Sequence, residues 1–229
     1  MIHSVRKVLS RIWAVDSGPY GLLILLFGTI FVLAPLLSAR MVSPFIVEIA
    51  FALILVAGAF NVTSRASVRG LALVLAVLSV VIGKMELPFS DRAVVAADMV
   101  LSVGMLAAFT VLMIKRFLVR GREPSHRIAG AVSVYLLLGL IWTRLYQVVE
   151  LASPGAFRVP VGESPNSSTL GYFSFVTLAT LGYGDISPVN IVARDLAVLE
   201  AITGQLYLVI LISRLVAEGV EKSQKGQDG

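Results

Sequence analysis

Residues 169–185 read Thr169-Leu-Gly-Tyr-Phe-Ser-Phe-Val-Thr-Leu-Ala-Thr180-Leu-Gly-Tyr-Gly-Asp185. The stretch up to Thr180 is apolar enough for a helix, and Ser167, Ser168 or Thr169 can cap its start. About 12 helical residues rise roughly 18 Å, half-way across a bilayer. Directly afterwards, Gly182 and Gly184 alternate with Leu181 and Tyr183, opening backbone angles denied to residues with a Cβ. A short helix that stops in mid-membrane and returns as irregular backbone is costly in lipid. It is tolerated where protein surrounds it or where it lines a watery path. The stretch therefore predicts a re-entrant segment held between two full spans.

The flanks supply those spans. Ile128–Leu151 precedes the segment and Ile191–Ala217 follows it, with a Pro/Gly/Ser-rich turret from Ser153 to Ser167. Further upstream, apolar runs over Tyr20–Leu37, Pro44–Val62, Leu71–Gly83 and Ala93–Ile114 read as four more spans. Leu71–Gly83 is short for a 30 Å core, but Arg69 and Lys84 can snorkel at its ends. Residues 1–13 place Ile2, Val5, Leu9, Ile12 and Trp13 at helical spacing opposite Arg6, Lys7 and Arg11. That pattern predicts an interfacial amphipathic helix. The expected layout is that helix, a four-helix domain over 20–114, a basic linker over 115–127, a pore domain over 128–217 and a short tail over 218–229. The tail, polar and terminal, is expected to be disordered.

Composition agrees. Of 229 residues, 57% are hydrophobic and 14% charged, with a mean hydropathy of +0.90. A soluble domain is nearer half apolar and a quarter charged. Six spans use about half of such a chain, leaving no room for a separate catalytic or ligand-binding domain. With no cysteine, disulfides, iron–sulfur clusters and thiol chemistry are excluded, and the two histidines, His3 and His126, lie too far apart to begin a zinc site.

Charge placement sets the topology. With six crossings, one side collects Arg6, Lys7, Arg11, Arg65, Arg69, Lys115, Arg116, Arg120, Arg122, Arg127, Arg214, Lys222 and Lys225. The other receives Arg40, Lys84, Arg92, Arg158 and Arg194, and Arg144 stays within a span. The positive-inside rule then places both termini in the cytoplasm. The net charge of +5 is a topology signal, and no basic stripe interleaved with aromatics remains to bind nucleic acid.

Thr180-Leu181-Gly182-Tyr183-Gly184-Asp185 resembles the Thr-Val-Gly-Tyr-Gly-Asp selectivity filter of the pore-loop potassium channels, and the six-span prokaryotic type in particular. The likeness continues to Pro188, Arg194 and Gly204, where many such channels have a Pro, an Arg and the hinge glycine of the inner helix. It covers about Tyr172 to Val216. The resemblance implies an all-α integral membrane protein with six transmembrane helices, a re-entrant pore helix and filter between the fifth and sixth, and a four-fold homotetramer with three identical partner subunits in the bilayer. It implies that Thr180, Leu181, Gly182, Tyr183 and Gly184 form the ion-binding filter, with carbonyls of Thr180 to Tyr183 and the Thr180 hydroxyl facing K⁺. Asp185, Val176 and Thr177 would support the filter. The ion in transit is K⁺, with no organic cofactor, and the location is the inner or plasma membrane of a prokaryotic cell.

The sequence departs from the family pattern in places. Leu181 stands where Val is usual, Val176 where some members have a Glu that pairs with the filter Asp, and Tyr172-Phe173 where a Trp pair is frequent. A voltage sensor needs Arg or Lys at every third residue of the fourth span, and Ala93–Ile114 has none, only Asp98. Steep voltage dependence is therefore not expected. Glu48, Asp98, Arg144 and Glu200 are intramembrane charges and candidate functional groups. Arg144 and Glu200 sit at similar depth on spans five and six, so that they could pair behind the filter, while Glu48, Asp98 and Lys84 could cluster near the outer face. No Ser/His/Asp, His-Glu-x-x-His or paired-carboxylate constellation suggests an enzyme. The expected function is passive, selective K⁺ conduction. The alternatives are a non-selective cation channel and a potassium uptake transporter or regulatory subunit.

Overall fold

The computed structural model describes residues 18–33, 35–36, 41, 46, 49, 53–54, 56, 92–117 and 124–225. The described elements are α1 (Gly18–Gly28), a π-helical turn (Thr29–Leu33), α2 (Arg92–Phe117), α3 (Pro124–Ala152), β1 (Phe157–Arg158), α4 (Ser167–Leu178), β2 (Ser187–Pro188) and α5 (Ile191–Lys225). Two of them are long and apolar enough to cross a membrane, over His126–Ala152 and Ile191–Arg214. They coincide with the fifth and sixth expected spans. Shorter apolar helices cover Tyr20–Leu33 and Met99–Lys115, within the expected first and fourth spans. The expected third span and the amphipathic segment 1–13 lie outside the described residues, as does most of the second span, with Glu48 and Lys84.

The chain divides into two compact units, Met1–Leu138 and Gly139–Gly229. In the first, hydroxyls that would be stranded in an apolar helix return to the carbonyl one turn back. Thr29 Oγ1 donates to the Leu25 carbonyl at 2.8 Å, Thr110 Oγ1 to Leu106 at 2.8 Å and Ser133 Oγ to Ala129 at 2.9 Å. Asp98 lies on α2.

The second unit is built around an aromatic nucleus. Tyr146 from α3, Phe157 from β1 and Phe173 from α4 meet edge-to-face, with centroids 5.0 to 5.4 Å apart. Such geometry contributes about 0.5–1.5 kcal/mol per pair beyond area burial. Leu170, Ile186, Ala156 and Ala193 complete this core. The turret is tied down by β1, which pairs antiparallel with β2 through Phe157–Pro188 and Arg158–Ser187. Pro188 is tolerated because so short a pairing asks little of its missing N–H. Val189 N–H adds a bond to the Ala156 carbonyl at 2.8 Å.

Two asparagines start the helices that flank the loop. Asn166 Oδ1 accepts from the N–H groups of Ser168 and Thr169 at 2.9 and 3.0 Å, capping α4. The cap thus falls one to three residues before the expected Ser167, Ser168 or Thr169, since the Asn166 side chain already accepts from the Ser168 and Thr169 N–H groups. Asn190 does the same for α5, accepting from Val192 N–H at 2.7 Å, while its Nδ2 donates to Ser153 Oγ at 3.0 Å. The expected disordered tail is corrected up to Lys225, where α5 continues. Ala217, Glu218, Glu221, Lys222 and Gln224 all favour helix, and no proline intervenes.

Candidate functional site

Helix α4 is half a membrane long and must end where the Thr180–Asp185 string begins. Thr180 N–H donates to the Thr177 carbonyl at 2.9 Å, and Leu181 N–H to the Val176 carbonyl at 2.8 Å. These two bonds close a helix through one left-handed residue. Here that residue is Thr180, with φ of 57°, the one non-glycine with positive φ among the described residues. A β-branched residue in this region carries strain of about 1–2 kcal/mol.

The sign of φ then alternates. Thr180, Gly182 and Gly184 have φ of 57°, 55° and 79°, while Leu181 and Tyr183 between them are not positive. In a strand, successive carbonyls point to opposite sides. Reversing the handedness at every second residue rotates the intervening peptide planes and brings consecutive carbonyls toward one side. Glycine makes the second and third reversals free of Cβ conflict. Residues 180–185 are exposed in the single chain, Leu181 by 56% and Tyr183 by 67%.

The supports behind this string are partly those expected. Val176 is buried, and the carbonyls of Val176 and Thr177 hold the turn into residues 180–185. Asp185 interacts with the Tyr172 phenol through a hydrogen bond. That hydrogen bond and the carboxylate charge hold the Tyr172 pKa above its ordinary value. Arg194 Nε, on the first turn of α5, donates to the Pro188 carbonyl at 3.2 Å and steadies the exit from the loop.

Gly204 is buried against the end of α4, where a Cβ would overlap the Leu178 carbonyl oxygen. The expected Arg144–Glu200 pairing is corrected. Glu200 is fully buried on α5, with one carboxyl oxygen taken by Tyr146 Oη and the other 2.6 Å from Ser174 Oγ. Arg144 Nη1 donates to Gln147 Oε1 at 3.0 Å. The reason is helical phase: Arg144 and Tyr146 are two residues apart, about 200° around the helix, so both cannot face α5. Nothing local marks Ser174 or Tyr146 among the several hydroxyl residues of α4 and α3, because their partner Glu200 lies 26 and 54 residues away.

Residues 130–220 match the model of a family described as ion channel. Protein LctB of Bacillus caldotenax is 27% identical over 108 residues, which are 41% of this chain and 77% of that one. The inward rectifier potassium channel Kirbac3.1 of Paramagnetospirillum magnetotacticum is 32% identical over 88 residues, 37% of this chain and 26% of that protein. This chain therefore spans about a quarter of the inward rectifier. No solved structure matches. The matched region, residues 130–220, contains α4, the Thr180–Asp185 string and most of α3 and α5. These comparisons support an ion channel of the membrane and point away from an enzyme.

Proposed function

We propose that this chain is one subunit of a homotetrameric potassium channel that conducts K⁺ passively through Thr180–Gly184. The alternating φ from Thr180 to Gly184, on the residues Thr-Leu-Gly-Tyr-Gly, carries this reading. One chain contributes one carbonyl-bearing strand, and four strands around an axis would stack rings of oxygens able to replace the hydration shell of K⁺. The exposure of Leu181 and Tyr183 in a lone chain suits surfaces that partner subunits cover. A relative named as a potassium channel, aligned over 88 residues, adds support.

In this account the first four spans and residues 128–217 make a six-span subunit with cytoplasmic termini, in a prokaryotic inner membrane. Gly204 is a candidate bend in α5. Gating is not steeply voltage-dependent, since Ala93–Ile114 has no Arg or Lys to sense the field. The test is a flux assay with the full chain in K⁺-loaded vesicles. Fast K⁺ efflux that Gly182→Ala abolishes supports the reading. Equal efflux of Na⁺ and K⁺ contradicts it.

A further inference from the structure

Behind the pore helix, three oxygen-to-oxygen contacts meet where only two hydroxyl hydrogens are on hand. Ser174 Oγ lies 2.6 Å from Glu200 Oε1 and 2.8 Å from the Gly139 carbonyl oxygen, and Tyr146 Oη contacts Glu200 Oε2. A serine and a tyrosine bring one hydrogen each, and a carbonyl oxygen brings none. If Ser174 donates to Glu200, its contact with Gly139 is empty; if it donates to Gly139, its contact with Glu200 is empty. Thr143 Oγ1 also donates its own hydrogen to the Gly139 carbonyl at 2.7 Å, which leaves the shortfall at Ser174 unchanged. Tyr146, Ser174 and Glu200 are all fully buried, so bulk water does not supply the missing hydrogen.

We infer that Glu200 is a neutral carboxylic acid that donates its proton to Ser174, and so acts as a positioning residue locking α5 to the pore helix α4. The neutral form fills every contact in one direction. Glu200 Oε1–H donates to Ser174 Oγ, Ser174 O–H donates to the Gly139 carbonyl, and Tyr146 O–H donates to Glu200 Oε2. The chain of donors runs from α5 to α4 to α3 and back to α5, joining all three helices of the pore unit. It also avoids an unpaired carboxylate in an apolar span, which is costly. From α3 the group facing Glu200 is Tyr146, with Arg144 two residues away and engaged by Gln147; from α4 it is the uncharged Ser174. Loss of the proton replaces a donor by an acceptor at Ser174 and leaves that serine one hydrogen short.

The protonation state stands apart from the proposed conduction, and only its effect on current rests on it. The deciding measurement is infrared spectroscopy of the purified full chain at neutral pH. A protonated-carboxyl C=O band that is present in the unaltered protein and missing from Glu200→Gln is expected, with a deuterium-exchange shift of that band as the readout if the variant does not accumulate. Spectra showing only ionised carboxylates overturn the inference, whether or not the protein conducts. In vesicles, Glu200→Gln keeps a donor toward Ser174 and an acceptor toward Tyr146, so it is expected to retain K⁺ efflux, whereas Glu200→Ala loses roughly tenfold or more. Efflux of the unaltered protein should fall as pH rises into the alkaline range and that of Glu200→Gln should not. A Glu200→Gln variant as impaired as Glu200→Ala, or one with the same alkaline fall, contradicts the assignment.

Discussion

The backbone of Gly204 on α5 packs directly against the Leu178 carbonyl at the end of α4, so that a single added methyl has no room there. Backbone yields less readily than a side chain, and overpacking of this kind costs about 1–3 kcal/mol. Gly204→Ala is therefore expected to lower the thermal midpoint of the solubilised protein and to disturb the last turn of α4. An unchanged midpoint would show that α5 moves aside freely, contrary to this packing.

Asn166 holds the start of the same helix through two N–H groups. Asn166→Ala is expected to cost about 1 kcal/mol, while Asn166→Asp and Asn166→Ser retain most of the cap. For a chain of this size, that loss corresponds to a fall of roughly 2–4 °C in thermal midpoint. Equal midpoints for the Ala and Asp variants would contradict the capping role.

At the other end, Thr180 has a left-handed backbone, and its hydroxyl would face the ion if the proposed function holds. Thr180→Gly relieves about 1 kcal/mol of backbone strain and removes the hydroxyl. Stability is expected to hold or rise while K⁺ conduction falls. Parallel loss of both, measured by thermal melting and vesicle efflux, would place the strain elsewhere.

Tyr172 is held to Asp185 by a hydrogen bond and by the carboxylate charge, and the two side chains are expected to be coupled. Tyr172→Phe and Asp185→Asn should each speed the decay of current, and the double variant should resemble either single one. A sum of the two effects would mean that they act independently. The raised phenol is protonated below its titration, so the link is whole through neutral pH. It is lost as pH rises through the folded-state value, above the ordinary range for tyrosine. A current decay that is indifferent to strong alkali in the unaltered protein would argue against the link.

The parts of the fold that were legible in the sequence are those where physics acts along the chain. Long apolar runs announced α3 and α5, and a half-length apolar run before alternating glycines announced α4. What could not be read depends on helical phase between elements far apart in sequence. Tyr146 and Glu200 are 54 residues apart, and Ser174 and Glu200 are 26 apart. Depth alone made Arg144 an equally good partner for Glu200, and the 200° between Arg144 and Tyr146 decided otherwise. The Asn166 cap was missed for a local reason, because three hydroxyl residues follow it and each is an acceptable cap. The positive φ of Thr180 had no local signal either. Only the closure of α4 by the Thr180 and Leu181 N–H groups requires it.

We propose selection of K⁺ by the carbonyls from Thr180 to Tyr183. Its most direct test is the reversal potential of the full chain in a planar bilayer with K⁺ on one side and Na⁺ on the other. A potential displaced far from zero in the direction of K⁺ permeability is expected, with loss of that displacement or of the current in Gly182→Ala and Tyr183→Ala. A reversal near zero in the unaltered protein would contradict it.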